Sequence, residues 1–158
     1  MSAMPADEAT SLRGIEMSEQ EIGEFLHAQG HGVLSLARGG DSYAIPVSFG
    51  YDGEDIYLSL IEFGDESRKL DFVEETDQAC LVTYRVETRH VWKSAIALGR
   101  LEEVPADEYE RAEEVLKDNA WFPSIFPPTQ PITGFHRMIL HIDEATGRKG
   151  EGYQLDDV

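Results

Sequence analysis

Residues 42–51, Ser-Tyr-Ala-Ile-Pro-Val-Ser-Phe-Gly-Tyr, alternate strictly between small and bulky side chains. This alternation is typical of a β-strand, whose successive side chains point to opposite faces of the sheet. The bulky face carries aromatic and branched side chains, which predicts burial. Pro46 lacks the backbone donor of a sheet ladder, so we expect it at an edge or a break. The small-residue face has room either for a flat ligand or for a covering loop.

Further segments on both sides of this strand also have the composition of strands, and turn signals separate them. Asp52-Gly53 is a typical hairpin turn, and Gly99 marks a bend in the longest segment. These strands are predicted over residues 31–38, 55–61, 78–86, 91–104 and 135–143. Strands joined mainly by short turns favour a mainly β fold, a six-stranded antiparallel β-barrel with peripheral helices.

Helices are predicted beside the strands. The first begins with a capping box, in which Ser18 is the N-cap and Glu21 reaches back to it, and it ends at Gly30. The other helices are predicted over residues 65–76 and 107–119. We assign residues 16–145 to one domain, residues 1–15 to a flexible N-terminal tail and residues 146–158 to a polar C-terminal tail.

The chain is strongly acidic, with 31 Asp and Glu against 13 Lys and Arg and a formal net charge of -18. Nucleic acids and anionic membranes need basic surface, so neither partner is expected. The dispersed acids favour adaptation to high salt over an ordinary acidic protein, because the Debye length is about 3 Å near 1 M salt. The sequence has no long apolar run and no secretion signal, so we expect a cytoplasmic protein.

The predicted helix over residues 65–76 has its charges reversed. Arg68 and Lys69 fall in its first turn and Glu74 and Glu75 in its last, although a helix is partially positive at its start and negative at its end. An anion bound at the first turn would remove the conflict there. Solvation at high salt is the only sequence-based account of the two glutamates.

Ser67-Arg68-Lys69 therefore predicts a phosphate clamp. Arginine offers a bidentate fork, lysine a point charge and serine a short hydroxyl donor. The alternative is a solvated basic pair that follows a capping serine. The scarcity of basic residues earlier in the chain, where Arg13 and Arg38 alone precede position 68, favours the clamp.

Few other residues suggest a catalytic or ligand-binding role. Ser94 shares one strand face with Trp92, Ile96 and Leu98, and it either contacts a ligand or is a minor core hydroxyl. Cys80, the single cysteine, lies in an apolar run and is expected in the core rather than as a nucleophile.

The sequence has no glycine-rich dinucleotide motif and no phosphate-binding P-loop. His27 and His31 are four residues apart, but Gly30 should end the helix between them, so we name no catalytic residue and no metal site.

An ordered set of segments resembles a known family. The set comprises Tyr43–Phe49, Asp52-Gly53, Ile56–Ser59, Ser67–Leu70 and Trp92–Glu102. At these spacings it resembles the pyridoxamine 5'-phosphate oxidase-like flavoproteins, the FMN-binding split barrels. The resemblance implies a homodimer that holds FMN in two clefts between its subunits.

The resemblance also assigns residues to the cofactor. The strand that includes Ala44 to Ser48 would lie along the flavin ring, and Leu58-Ser59 would lie near the ribityl chain and phosphate. The Ser-Arg-Lys segment would hold the phosphate. The cofactor-binding residues implied are Ile45, Pro46, Val47, Ser48, Leu58, Ser59, Ser67, Arg68, Lys69 and Ser94.

The chain has no equivalent of the Arg-x-His motif with which the true oxidase grips pyridoxamine phosphate. It is more similar to the small branch that includes nitroimidazole-reductase-like proteins. The resemblance implies an FMN-dependent oxidoreductase that passes electrons from a reduced donor to a small substrate or to oxygen. The alternatives are a deazaflavin-dependent reductase of the same fold and a non-catalytic flavin- or haem-binding protein.

Overall fold

Antiparallel strands make up most of the computed structural model, which describes residues 14–63, 68–119 and 132–155. The strands are β1 (Ile15–Glu16), β2 (His31–Arg38), β3 (Asp41–Tyr51), β4 (Ile56–Phe63), β5 (Ala79–Thr88), β6 (Val91–Glu103) and β7 (Ile132–Lys149). The helices are α1 (Glu19–Gln29), α2 (Arg68–Glu75), α3 (Tyr109–Asn119), which follows a 3-10 turn at Ala106–Glu108, and α4 (Gly152–Leu155). None of the described helices is long and apolar enough to cross a membrane.

The strands close into a barrel. Their order in the sheet is β1-β7-β4-β3-β2-β5-β6, and β6 pairs again with β7. The mainly β fold class is therefore confirmed, but the expected count of six strands is wrong, because the sheet has seven. The additional strand is β1, two residues long, which pairs with the end of β7 outside the closed ring.

Strand β7 is longer than the sequence indicated. It has 18 residues and pairs with β4 in its first half and with β6 along the rest, as far as Lys149. Residues 146–149, expected in a polar tail, therefore belong to the sheet, as does Ile15. The sequence predicted a tail because Glu144, Thr146 and Arg148 are polar. These side chains are exposed, whereas the intervening Ala145 and Gly147 are partly or fully buried.

The alternation of β3 decides which side chains fill the barrel. Val47 and Phe49 are fully buried, and Tyr43, Ile45 and Tyr51 pack against the same core. The alternation of β5 places Ala79, Leu81 and Thr83 inside. The expectation for Cys80 is therefore wrong, because this side chain points outward and is only half-buried.

The predicted bend at Gly99 is a register shift between β6 and β7. A Cβ atom at this position would lie 1.9 Å from the carbonyl oxygen of His141, so no other residue fits without a backbone shift. The bend lets β6 pair with β5 at one end and follow β7 past the end of β5, which helps to close the barrel.

Helix α1 follows the sequence prediction. Ser18 accepts a hydrogen bond from the Glu21 amide, Glu21 Oε1 accepts one from the Ser18 amide, and Gly30 ends the helix at φ 67°. The second carboxylate oxygen of Glu21 accepts a hydrogen bond from Lys149 Nζ at 2.6 Å. One side chain thus caps α1 and joins the helix to the end of β7.

Replacing Glu21 with glutamine is expected to reduce stability in a pH-dependent way. The hydrogen bond from Lys149, followed by the bond from the Ser18 amide, lowers the pKa of Glu21 from its ordinary 4.5. A lowered carboxyl pKa gives stability that is complete above the unfolded value and is lost as pH falls through the folded value. The difference in unfolding free energy between wild type and Glu21→Gln should therefore be largest near neutral pH and shrink below about 4.5.

Urea titrations at a series of pH values measure this difference. Glu19→Gln is the matched control, because Glu19 also lies in the first turn of α1 and is exposed. The difference in unfolding free energy between wild type and Glu19→Gln should not shrink at acid pH in the way expected for Glu21→Gln. A Glu21→Gln difference that persists unchanged at acid pH would contradict the role of the ion pair.

A buried polar network joins α1 to the sheet. Gln29 Nε2 donates to Thr83 Oγ1 at 2.9 Å and to the Tyr84 carbonyl at 3.0 Å, and Thr83 donates to the His31 carbonyl at 2.7 Å. Both side chains are buried. Thr83→Val keeps the volume but removes the hydroxyl, so we expect a loss of about 1–3 kcal/mol in unfolding free energy. Thr88→Val, at the exposed end of β5, is the control, and equal losses in both variants would contradict the prediction.

Candidate functional site

Strands β3 and β4 separate part of the way along their length. Their ladder contains the pairs Tyr51 with Ile56, Gly50 with Tyr57 and Phe49 with Leu58, whereas β2 pairs with β3 from Ser48 to Asp41. Ser48 and Ser59 are therefore the first residues beyond the last pair on each strand. We call this point of separation the fork.

Beyond the fork, β3 has an open edge. The Phe49 amide donates to the Gly30 carbonyl at 2.9 Å, on the β2 side. Since residues along an antiparallel strand alternate between its two edges, Ala44 and Pro46 direct their backbone groups away from β2. No strand within the described ranges pairs with them on that side. The expectation that Pro46 lies at an edge is confirmed. We call the space between β3 and β4 beyond the fork the cleft, and the Ala44 amide and the carbonyls of both residues face it.

The side chains along this edge are small and accessible. Ala44 and Pro46 are exposed and Ser48 is partly exposed, with its hydroxyl donating to the Gly30 carbonyl at 3.2 Å. The sequence also predicts an aromatic loop over residues 120–134 as an alternative cover for this face. Residues 120–131 of that loop lie outside the described residues. The described part of the site is thus a flat, open strand edge that suits a planar ligand with polar atoms on its rim.

Helix α2 packs against β3, the strand that carries the open edge. Phe72 is buried and its ring stacks on Tyr43 of β3, with 5.2 Å between the centroids. Position 68 is the first residue of α2 and lies about one turn before Phe72. Ser67 and the side chains of Arg68 and Lys69 lie outside the described residues. Phe72 is thereby placed beside the start of β3, and the first turn of α2, with amides that lack intrahelical acceptors, lies one turn before this contact.

The reversed charges of α2 are explained at one end. Arg38 of β2 pairs with Glu75 at 2.8 Å, and its guanidinium lies 5.7 Å from the centre of the Phe72 ring. A cation from another element thus lies at the C-terminus of α2, where the helix dipole is negative. The conflict at the first turn is not tested by the described residues, because the side chains of Arg68 and Lys69 lie outside them. An anion there remains the account that the helix dipole favours.

Three of the implied residues face the barrel interior. Leu58 and Val47 belong to the buried core, and Ile45 packs against it. Because alternate residues of a strand face opposite sides, these side chains cannot reach a ligand at the outer surface. Their backbone groups alone are candidates for contact. Of the implied strand residues, Pro46, Ser48 and Ser59 have accessible side chains near the fork.

Ser94 lies far from the fork in the same chain. It is on β6, and β2 and β5 separate β6 from β3, a span of roughly 14 Å at about 4.8 Å between strands. Its direct neighbours across the sheet are Tyr84 of β5 and Arg148 of β7, which the sequence prediction missed. Register was the missing information, because nothing in the local sequence aligns these three positions.

The sheet between β3 and β6 presents an apolar outer face. Val33, Val82 and Ile96 lie directly opposite one another on adjacent strands. Tyr84, Val86 and Ile96 are 62%, 63% and 41% exposed. We define the outer face as Ala44 and Pro46 of β3, Val33 and Ser35 of β2, Cys80, Val82, Tyr84 and Val86 of β5, and Ser94, Ile96 and Leu98 of β6. Large contiguous patches of exposed apolar surface are uncommon on monomeric proteins.

A separate cavity of about 800 Å³ lies between α1, α3 and the turn that joins β3 to β4. Its lining includes the carboxylates of Glu19, Glu24, Asp52 and Glu114. Like charges would repel a phosphate here. The cavity is therefore not a candidate for an anionic cofactor.

Comparisons with known proteins match most of this chain. A family model described as pyridoxamine 5'-phosphate oxidase matches residues 18–149. An uncharacterised protein of Rhizobium meliloti (strain 1021) is 26% identical over 143 residues, which are 84% of this chain and 92% of that protein.

Solved structures share the fold. An FAD-binding protein from Mesorhizobium loti superposes with a TM-score of 0.67 at 19% identity, over 86% of this chain and 97% of that one. A protein from Bacteroides thetaiotaomicron, named as a candidate 5-nitroimidazole antibiotic resistance protein, has a TM-score of 0.64 at 19% identity. It covers 84% of this chain and 85% of its own.

Proposed function

Because the chain belongs to the pyridoxamine 5'-phosphate oxidase family, we propose that it is an FMN-binding oxidoreductase. The observation that carries the proposal is the open edge of β3, against whose strand Phe72 holds α2 one turn after the helix start. A planar ring with polar atoms on its rim fits the exposed backbone of Ala44 and Pro46. A phosphate fits the helix start at Arg68, where the charges otherwise oppose the dipole.

We assign different residues to the ring and to the phosphate of the cofactor. The backbone from Ala44 to Ser48 would hydrogen-bond to the rim of the ring, and Ser59 would donate to the ribityl phosphate. Ser67, Arg68 and Lys69 would hold the phosphate with charge-assisted hydrogen bonds. When bound, the flavin supplies electron transfer between a reduced donor and a small substrate or oxygen, while the protein places and shields it.

The proposal includes a homodimer with the cofactor at the subunit interface. The apolar outer face supports it, because this surface is exposed in a single chain and would be covered by a second copy. Ser94 also supports it, since this residue lies several strands from the fork in its own chain. A twofold dimer would bring Ser94 of one subunit to the fork of the other, together with its neighbours Tyr84 and Arg148.

The relatives support a flavin and a reductase. The Mesorhizobium loti structure is of an FAD-binding protein, and the Bacteroides thetaiotaomicron protein is named for 5-nitroimidazole resistance, which a reductive enzyme could provide. We do not propose strict pyridoxamine phosphate oxidation, since the sequence has no Arg-x-His motif. A cytoplasmic location is part of the proposal, because reduced donors are available there.

An absorbance spectrum of the natively purified protein tests the proposal. We expect visible flavin absorbance, or quenching of flavin fluorescence when FMN is added, at low or molar salt. Reduced nicotinamide and deazaflavin donors should then bleach the bound flavin under anaerobic conditions. A protein that binds no flavin at either salt concentration would overturn the proposal, and a deazaflavin spectrum would replace FMN as the cofactor.

A further inference from the structure

Ser59, at the fork, is part of a chain of contacts that reaches α3. Arg137 of β7 lies directly opposite Ser59 in the ladder, and its Nη1 donates to Ser59 Oγ at 3.5 Å. The Nε and Nη2 atoms of Arg137 pair with the carboxylate of Glu113 on α3. The Arg137 side chain is partly buried, with 25% of it exposed.

The direction of these bonds sets the direction of the serine hydroxyl. A hydroxyl has one donor and two acceptor positions, and arginine can only donate. When Ser59 accepts from Arg137, its own proton is left to point away from β7. That direction leads toward the cleft, since β3 has separated from β4 at this residue. A hydroxyl that accepts from a cation is also a stronger donor.

Glu113 makes this arrangement rigid. Two guanidinium nitrogens contact its carboxylate, so the planar fork of Arg137 is held in one orientation. The face of β4 that carries Ser59 also carries Tyr57, which is buried with Ala112, the residue before Glu113 on α3. Glu113 therefore depends on the packing of α3 against the barrel, and its position is transmitted through Arg137 to Ser59.

We propose that Arg137, held by Glu113, is a positioning residue that orients the Ser59 hydroxyl to donate to the cofactor phosphate. This inference rests on the proposed function, because it requires a phosphate at the fork. Arg137 acts through Ser59 and not by direct contact with the phosphate. Its contribution should therefore depend on Ser59 and should be specific for a phosphorylated flavin.

The test compares FMN with riboflavin, which lacks the phosphate, by fluorescence quenching of each flavin on the full-length protein. We expect Arg137→Gln to weaken FMN binding about three- to tenfold and Ser59→Ala about tenfold or more, with riboflavin affinity nearly unchanged. The double variant should bind FMN no more weakly than Ser59→Ala alone, because the two residues act in series.

Arg111→Gln is the matched control. Arg111 also links α3 to the sheet, through Asp52 at 3.0 Å, but it does not contact Ser59. This variant removes one exposed link of α3, while Ala112 stays packed with Tyr57 and Glu113 keeps its place, so the ratio of FMN to riboflavin affinity should stay at its wild-type value.

The outcomes separate the two hypotheses. Equal loss of FMN and riboflavin affinity in Arg137→Gln would reveal a merely structural role and overturn the inference. Effects of Arg137→Gln and Ser59→Ala that multiply in the double variant would also overturn it, as would unchanged FMN affinity in Arg137→Gln. A wild-type protein that binds neither flavin would overturn the proposed function and this inference together.

Discussion

Replacing Arg68 with alanine is expected to weaken FMN binding by about 1.5–3 kcal/mol, the range for a hydrogen bond to a charged group. Arg68 is the first residue of α2, whose amides lack intrahelical acceptors there. With FMN bound, the side chain would join these amides on the phosphate. Riboflavin affinity should change little, because the predicted contact is with the phosphate alone.

Arg100→Ala is the control for this prediction. Arg100 is exposed on β6, so its loss changes the net charge of the chain by the same amount without touching the fork. Titrations at two salt concentrations should show a larger Arg68→Ala effect at low salt, since screening weakens exposed charge interactions. FMN affinity that is equal in wild type and Arg68→Ala would remove the start of α2 from the cofactor site.

Replacing Ile96 with arginine is expected to convert the proposed dimer into a monomer. Ile96 is 41% exposed and lies between Val82 of β5 and Thr146 of β7, within the outer face. An uncompensated charge buried in an interface costs about 3–5 kcal/mol, and a twofold interface contains the substitution twice. The monomer should stay folded, because the arginine is solvated when the outer face is exposed.

Analytical ultracentrifugation gives the mass, and flavin quenching gives the affinity of the same samples. Tyr109→Arg is the control, since Tyr109 is similarly exposed, at 44%, but lies on α3 away from the outer face. We expect Ile96→Arg to lose both dimer and flavin, and Tyr109→Arg to keep both. A dimer that survives Ile96→Arg would show that the outer face is not the interface.

Local features of this protein were predictable from the sequence. The alternation of residues 42–51 predicted β3 and its buried face, and the capping box at Ser18 and Glu21 predicted the start of α1. Gly30 and Gly99 marked the helix end and the bend. Each of these signals lies within a few residues of the structure that it determines, so it needs no knowledge of distant partners.

Features that depend on strand pairing were not predictable. The last residues of β7 were read as a tail because their outward side chains are polar, and Cys80 was placed in the core although its strand turns it outward. Arg38 was not expected to neutralise Glu75, because β2 and α2 are far apart in the sequence. In each case the deciding contact comes from another element.

The sequence by itself determined the strand period, the helix caps and the placement of two cations at the start of α2. Only the tertiary structure decided that β4 leaves β3 at Ser48 and Ser59, and that Arg137 reaches Ser59 across 78 positions of the chain. The alternation of β3 continues unbroken through the fork, so no local pattern marks it. Local hydrogen bonds and side-chain periodicity depend on neighbouring residues, whereas the open edge depends on where strands that are distant in the sequence pair and separate.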